Sequence, residues 1–100
     1  MLESLIKIIR ERKKSNIKAS YTNLLLSSGL EKCIDKLQEE FDELKDALNN
    51  DHTNIVHETA DVIYHLLVSL EAADIKFEDV LKELEKRKNQ SGIIEKKNRS

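Results

Sequence analysis

The chain has no proline and no tryptophan, and only two glycines, one cysteine and four aromatic residues in 100 positions. A small β-sandwich or barrel needs turn punctuation and aromatic enrichment, so this composition excludes one and leaves helices. The single Cys33 closes no intrachain disulfide, and no CxxC or Cys/His pattern offers a structural zinc site. Packing must therefore hold the fold. Neither sign of charge dominates: 17 Lys and Arg stand against 19 Asp and Glu, a formal charge of −2. The basic cluster Arg10, Arg12, Lys13, Lys14 is short and lacks aromatic partners, which makes nucleic acid the weakest partner class. No window approaches the roughly 18 consecutive apolar residues of a membrane span, and the mean hydropathy is −0.54. Glu3 directly after Met1-Leu2 is wrong for a secretory signal. A cytoplasmic location is expected.

What is present is helical periodicity. Leu2, Leu5, Ile6, Ile8 and Ile9, separated by charges, predict an amphipathic helix that runs into the basic cluster, where the helix dipole favours cations. Residues 15–20 read as a polar linker, and Tyr21 to Leu26 as a short apolar helix stopped near Gly29. From Glu31, the residues Ile34, Leu37, Phe41, Leu44 and Leu48 recur at spacings of 3 and 4, a stripe that faces a partner helix. Asn49-Asn50-Asp51 ends that helix. The next, from about Thr53 to Ala73, is expected to place Ile55, Val56, Ala60, Ile63, Leu66, Leu67 and Leu70 inside, antiparallel to its predecessor. A last amphipathic helix covers about Phe77 to Arg87. The expected fold is all-α: an antiparallel bundle of four to five helices around a central hairpin, one domain over residues 1–87. A polar tail over 88–100 is expected to be mobile. A domain this small buries only roughly 60–68% of its unfolded surface, so oligomerisation is plausible before any motif is read.

The chemistry lies in two acidic clusters on the hairpin, Glu39-Glu40-Phe41-Asp42-Glu43 and Glu58-Thr59-Ala60-Asp61. Three residues advance a helix by about 300°, so Glu40 and Glu43 project together, as do Glu58 and Asp61. Glu43 lies about as far before the turn as Glu58 lies after it, which brings the pairs level. Four converging carboxylates repel unless a cation offsets them. Oxygen ligands without His or Cys suit Mg2+ or Mn2+, and Mg2+ held by carboxylates takes phosphate oxygens as further ligands, which points to a phosphorylated substrate. A single ExxE, by contrast, is a common filling of an exposed helix face.

The pattern ExxE, fourteen residues, ExxD resembles the signature of the all-α nucleoside triphosphate pyrophosphohydrolases of the MazG type. Within that superfamily the chain is most similar to the phosphoribosyl-ATP pyrophosphohydrolase family of histidine biosynthesis. The matching text is SYTNLLLSSG from Ser20, EEFDE from Glu39 behind Lys32 and Lys36, HETADVIYHLLVSL from His57, and IKFEDVLKELEKR from Ile75. Ala19 and Gln38 stand where that family commonly has Gly. The cyclohydrolase domain fused to some relatives has no counterpart here.

The resemblance implies Mg2+-dependent hydrolysis of phosphoribosyl-ATP to phosphoribosyl-AMP and pyrophosphate. It implies Mg2+ held by Glu40, Glu43, Glu58 and Asp61, with Glu39 as a further ligand or the residue that orients water, and it implies a homodimer. Exposed apolar residues on the first helix and at Leu24 to Leu26 are the expected interface. Lys32 and Lys36, one and two turns before Glu40 on nearly its side, are candidates for substrate phosphates or else solvated lysines. Ser20, Tyr21 and Thr22 at a loop-to-helix junction suit either an anion site or an N-cap. Tyr64 and His65 follow Asp61 closely enough to buttress the site; for His65 a structural role is preferred. His57-Glu58-Thr59-Ala60-Asp61 has Asp where a zinc protease helix has its second His, and that reading is rejected. Two alternatives keep different functions open: a general nucleoside triphosphate pyrophosphatase with the same carboxylates, and a non-catalytic helical dimerisation module.

Overall fold

The computed structural model describes residues 2–14 and 20–88. Five α-helices follow in order: α1 (Leu2–Lys14), α2 (Tyr21–Ser27), α3 (Leu30–Asn50), α4 (Ile55–Ala72) and α5 (Phe77–Lys88), with one 3-10 turn at His52–Asn54 between α3 and α4. The all-α bundle expected from composition is the fold. Helix α5 reaches Lys88, and the rest of the proposed tail, 89–100, lies outside the described residues, as does most of the 15–20 linker.

Helices α3 and α4 form the antiparallel hairpin, the most extensive pairing in the chain. At its open end α1 and α2 pack across it, and the core there consists of Ile6, Ile9, Leu25, Cys33, Leu67 and Val68. Toward the turn the hairpin is only two helices thick, and Ala47 is the buried apolar residue.

Local chemistry sets the ends. The Ser20 hydroxyl accepts from the Asn23 amide at 3.2 Å and caps α2. Gly29 opens α3 at φ +95°, ψ 164°, a region essentially closed to side-chain-bearing residues. Helix α4 stops without glycine: Asp74 takes φ +59°, and the Ile75 amide returns to the Leu70 carbonyl at 2.9 Å, the six-residue closure of a left-handed C-cap. The α1 cations also find partners more specific than a dipole. Arg10 pairs with Glu78 at 2.6 Å and Glu71 at 3.5 Å, and Lys13 with Asp74 at 2.5 Å, fastening α1 to the α4–α5 corner.

Two expectations about the hairpin change. Its inner stripe on α3 is Cys33, Leu37, Glu40, Leu44 and Ala47, displaced by one residue at three positions from the apolar stripe Ile34, Leu37, Phe41, Leu44, Leu48. One residue is about 100° of helix, so Ile34, Phe41 and Leu48 stand half exposed or more. On α4, Val56, Ala60, Ile63 and Leu66 point outward, and Glu58, His65, Leu67, Val68 and Ser69 are buried. The physical reason is that α4 can cover only one face of α3, and the small Cys33 and Ala47 allow the close approach. Ile6, Ile9 and Leu25 are core residues, whereas Ile8 on α1 and Leu24 on α2, within the expected interface, are exposed, as are several apolar residues of α3 and α4.

Candidate functional site

The inner seam of the hairpin carries charge where a helical pair ordinarily carries leucine. Glu40 on α3 and Glu58 on α4 occupy it midway along, with His65 two turns beyond Glu58. Carboxylate oxygens of Glu40, Glu43 and Glu58 lie within 4.8 Å of one another, which brings one member of the second acidic pair to the first. The placement is electrostatically costly. Burial, then the neighbouring Glu43, Asp61 and Glu58 carboxylates, push the Glu40 carboxyl above the ordinary range, and burial followed by Glu43 does the same to Glu58. Glu40 Oε2 and Glu58 Oε2 are buried without any hydrogen-bond partner. Orphaned buried carboxylate oxygens facing other carboxylates fit a hard divalent cation, which supplies the missing partner and the opposite charge together.

Asp61 sits one turn along α4 from Glu58 and bears electrostatically on both Glu40 and Glu58, but its Oδ2 is turned to His57 Nε2 at 3.3 Å. His57, Glu58 and Asp61 thus form a second group of ligand atoms, again within 4.8 Å of one another, that shares Glu58 with the first. The His57 contact is the feature that carboxylate spacing alone misses, although the i, i+4 separation of His57 and Asp61 signals it. Glu39 lies outside both groups, with its carboxylate on Lys36 Nζ at 3.0 Å.

The segment Ser20-Tyr21-Thr22 meets α4 beside this centre. The Thr22 hydroxyl hydrogen-bonds the Tyr64 hydroxyl, and the Tyr21 and Tyr64 rings stand edge-on to His65, at 6.0 and 5.2 Å. His65 is 5% exposed, burial lowers its pKa, and Nε2 lies 3.8 Å from Glu40 Oε1. The imidazole wedged between two tyrosines fixes the wall against which Glu40 rests. The Ser20 hydroxyl is committed to its cap, whereas Tyr21 is half exposed. Lys36 is close enough to Tyr21 and His65 to bear on their protonation; Lys32, one turn earlier, is exposed. Toward the hairpin turn the centre opens into a pocket of about 290 Å³ lined by Asp42, Glu43, Asp46, Ala47, Asp51, Asn54 and Glu58. An anionic ligand enters so acidic a pocket only with cations.

A sequence model of the family described as phosphoribosyl-ATP pyrophosphohydrolase matches residues 2–88. Among individual proteins, the chain is 46% identical over 99 residues to a phosphoribosyl-ATP pyrophosphatase of Roseobacter denitrificans, covering 98% of this chain and 94% of that one. It is 43% identical over 96 residues to the protein of that name from Rhodobacter capsulatus, covering 95% and 93%, and 43% identical over 97 residues to that of Ruegeria pomeroyi, covering 96% and 92%.

Proposed function

Because the chain belongs to the phosphoribosyl-ATP pyrophosphohydrolase family, we propose that it hydrolyses phosphoribosyl-ATP to phosphoribosyl-AMP and pyrophosphate in histidine biosynthesis, using Mg2+ held by Glu40, Glu43, Glu58 and Asp61. The observation that carries the metal assignment is the pair of buried, partnerless oxygens Glu40 Oε2 and Glu58 Oε2 within a cluster of carboxylates. Mn2+ satisfies the same oxygen set. Bound there, such an ion would supply polarisation of phosphoryl oxygens, activation of water and an offset for charge on the departing pyrophosphate.

The chain's own groups do the rest. Water adds to phosphorus as the α–β phosphoanhydride bond breaks, and the bond's electron pair leaves on pyrophosphate. Glu39, exposed beside Lys36, serves as a further ligand or orients that water. Lys36 beside it, with Lys32 one turn away, neutralises substrate phosphates; when a phosphate takes Lys36, Glu39 is freed for the water. Tyr21 offers a half-exposed ring beside His65 for the substrate's organic portion, while Ser20 and Thr22 hold that segment in place.

The active unit is a homodimer in this proposal. Phe41 and Leu48 are 53% exposed, Val56 84% and Ile63 45%, on two adjacent helices, and a mostly apolar groove lined by Ile34, Leu37, Gln38, Phe41, Val62 and Leu66 lies between those helices. A second copy covers such a surface with its own equivalent face.

The test is pyrophosphate release from phosphoribosyl-ATP, with and without Mg2+, beside ATP and a panel of deoxynucleoside triphosphates, with Glu43→Gln as control. Metal-dependent turnover of phosphoribosyl-ATP, abolished in the control, is the expected result. Turnover of free triphosphates alone would reassign the substrate and keep the site.

A further inference from the structure

His57 is 69% exposed at the side chain, so it does nothing for the core. Its Nε2 nevertheless stands 3.3 Å from Asp61 Oδ2, one turn along the same face of α4. Two ligand atoms bound about 2.0–2.1 Å from a tetrahedral Zn2+ are separated by about 3.3 Å, the edge of the tetrahedron. The third member of the group, Glu58, is 9% exposed and has a buried oxygen with no partner, and its ligand atom lies within 4.8 Å of the other two. The oxygen triad of Glu40, Glu43 and Glu58 contains no nitrogen and suits a hard ion; an imidazole beside two carboxylates suits a borderline transition metal.

We propose that His57, Glu58 and Asp61 form a distinct Zn2+ seat that overlaps the hard-cation centre and closes it when filled. Zn2+ at His57 Nε2, Asp61 Oδ2 and a Glu58 oxygen, with water as the fourth ligand, takes two of the four carboxylates that the hydrolytic ion needs. Zn2+ is therefore an inhibitor of this enzyme, and His57 is the residue that makes it one. The inhibitory consequence rests on the pyrophosphohydrolase reading; the seat itself does not.

Calorimetric titration of ZnCl2 into the metal-free full chain near neutral pH separates the two. Wild type and Glu43→Gln are expected to bind one Zn2+ per chain, and His57→Gln, a surface substitution that leaves the core untouched, to bind it at least about tenfold more weakly. A tetrahedral Co2+ visible spectrum, present in wild type and absent in His57→Gln, is the accompanying signature. In turnover, the fractional inhibition of His57→Gln by added Zn2+ at saturating Mg2+, measured against its own Zn2+-free rate, is expected to be lost. Equal Zn2+ affinity in wild type and His57→Gln, or no binding in wild type, overturns the proposal. If no Mg2+-dependent turnover is found while the His57-dependent Zn2+ site persists, the functional reading fails and the seat stands.

Discussion

Glu58 is the residue on which fold and chemistry pull in opposite directions. Buried in the hairpin seam beside Glu43, its carboxyl is held above the ordinary range, so the ionised form is less favourable in the folded chain than in the unfolded one. The sign follows directly: the stability associated with the raised value is fully present below the unfolded pKa and is lost as pH rises through the folded value. In chelator at neutral pH, Glu58→Gln is therefore expected to melt at a higher temperature than wild type. The same variant should lose about two or more orders of magnitude of pyrophosphate release, because the proposed Mg2+ site loses a ligand. Saturating Mg2+ should reverse the order of melting: an ion at about 100 times its Kd stabilises wild type by about 2.7 kcal/mol, and the variant by far less. Differential scanning fluorimetry with EDTA and with Mg2+ measures both halves. A variant that melts higher in both conditions and retains turnover would remove Glu58 from the metal site.

At the scale of elements, two joints invite measurement. Gly29 starts α3 at φ +95°, and a Cβ built there meets nothing within 4 Å, so Gly29→Ala is opposed by the backbone alone. It is expected to cost roughly 1–3 kcal/mol in urea unfolding without changing KM. The second joint is the clasp between α1 and α5. The Arg10 guanidinium holds the Glu78 carboxyl down to about 2, against an ordinary value of 4.5. A lowered carboxylate contributes stability that is present above about pH 4.5 and is lost as pH falls toward 2. Glu78→Gln should therefore lower the melting temperature near neutral pH and make no difference by about pH 2; a difference that persists at acid pH would mean the pair is not its cause. Helix α4 shows why element ends are harder to read than element bodies. Its cap is built by Asp74 in a left-handed conformation and a return bond from Ile75, and no glycine announces it.

The whole molecule leaves Ile34, Phe41 and Leu48 on α3, and Val56, Ile63 and Leu66 on α4, exposed along one side of the hairpin. In a domain of 11.6 kDa that surface is the basis of the proposed homodimer. Light scattering at micromolar concentration is expected to return twice the chain mass, and Phe41→Glu to return the single mass with a lower melting temperature. A single mass for wild type would refute the dimer while leaving the carboxylate centre intact. Among the described residues no helix is long and apolar enough to cross a membrane.

Helix bodies, the hairpin and the level placement of Glu43 and Glu58 were legible from residue order, because they depend on 3.6-residue periodicity and on counting from Asn49-Asn50-Asp51, both local properties. Which face of α3 turns inward was not. The apolar stripe through Ile34, Phe41 and Leu48 is the stronger periodic signal, yet the chain packs the neighbouring face of Cys33, Glu40 and Ala47 against α4. Periodicity reports that a surface must be covered and says nothing of whether the cover comes from the same chain. The pairing of Asp61 with His57, and the wedge of His65 between Tyr21 and Tyr64, likewise depend on rotamers and on how α2 lies across α4. Those are settled by packing among helices distant in sequence, where no single segment carries the signal.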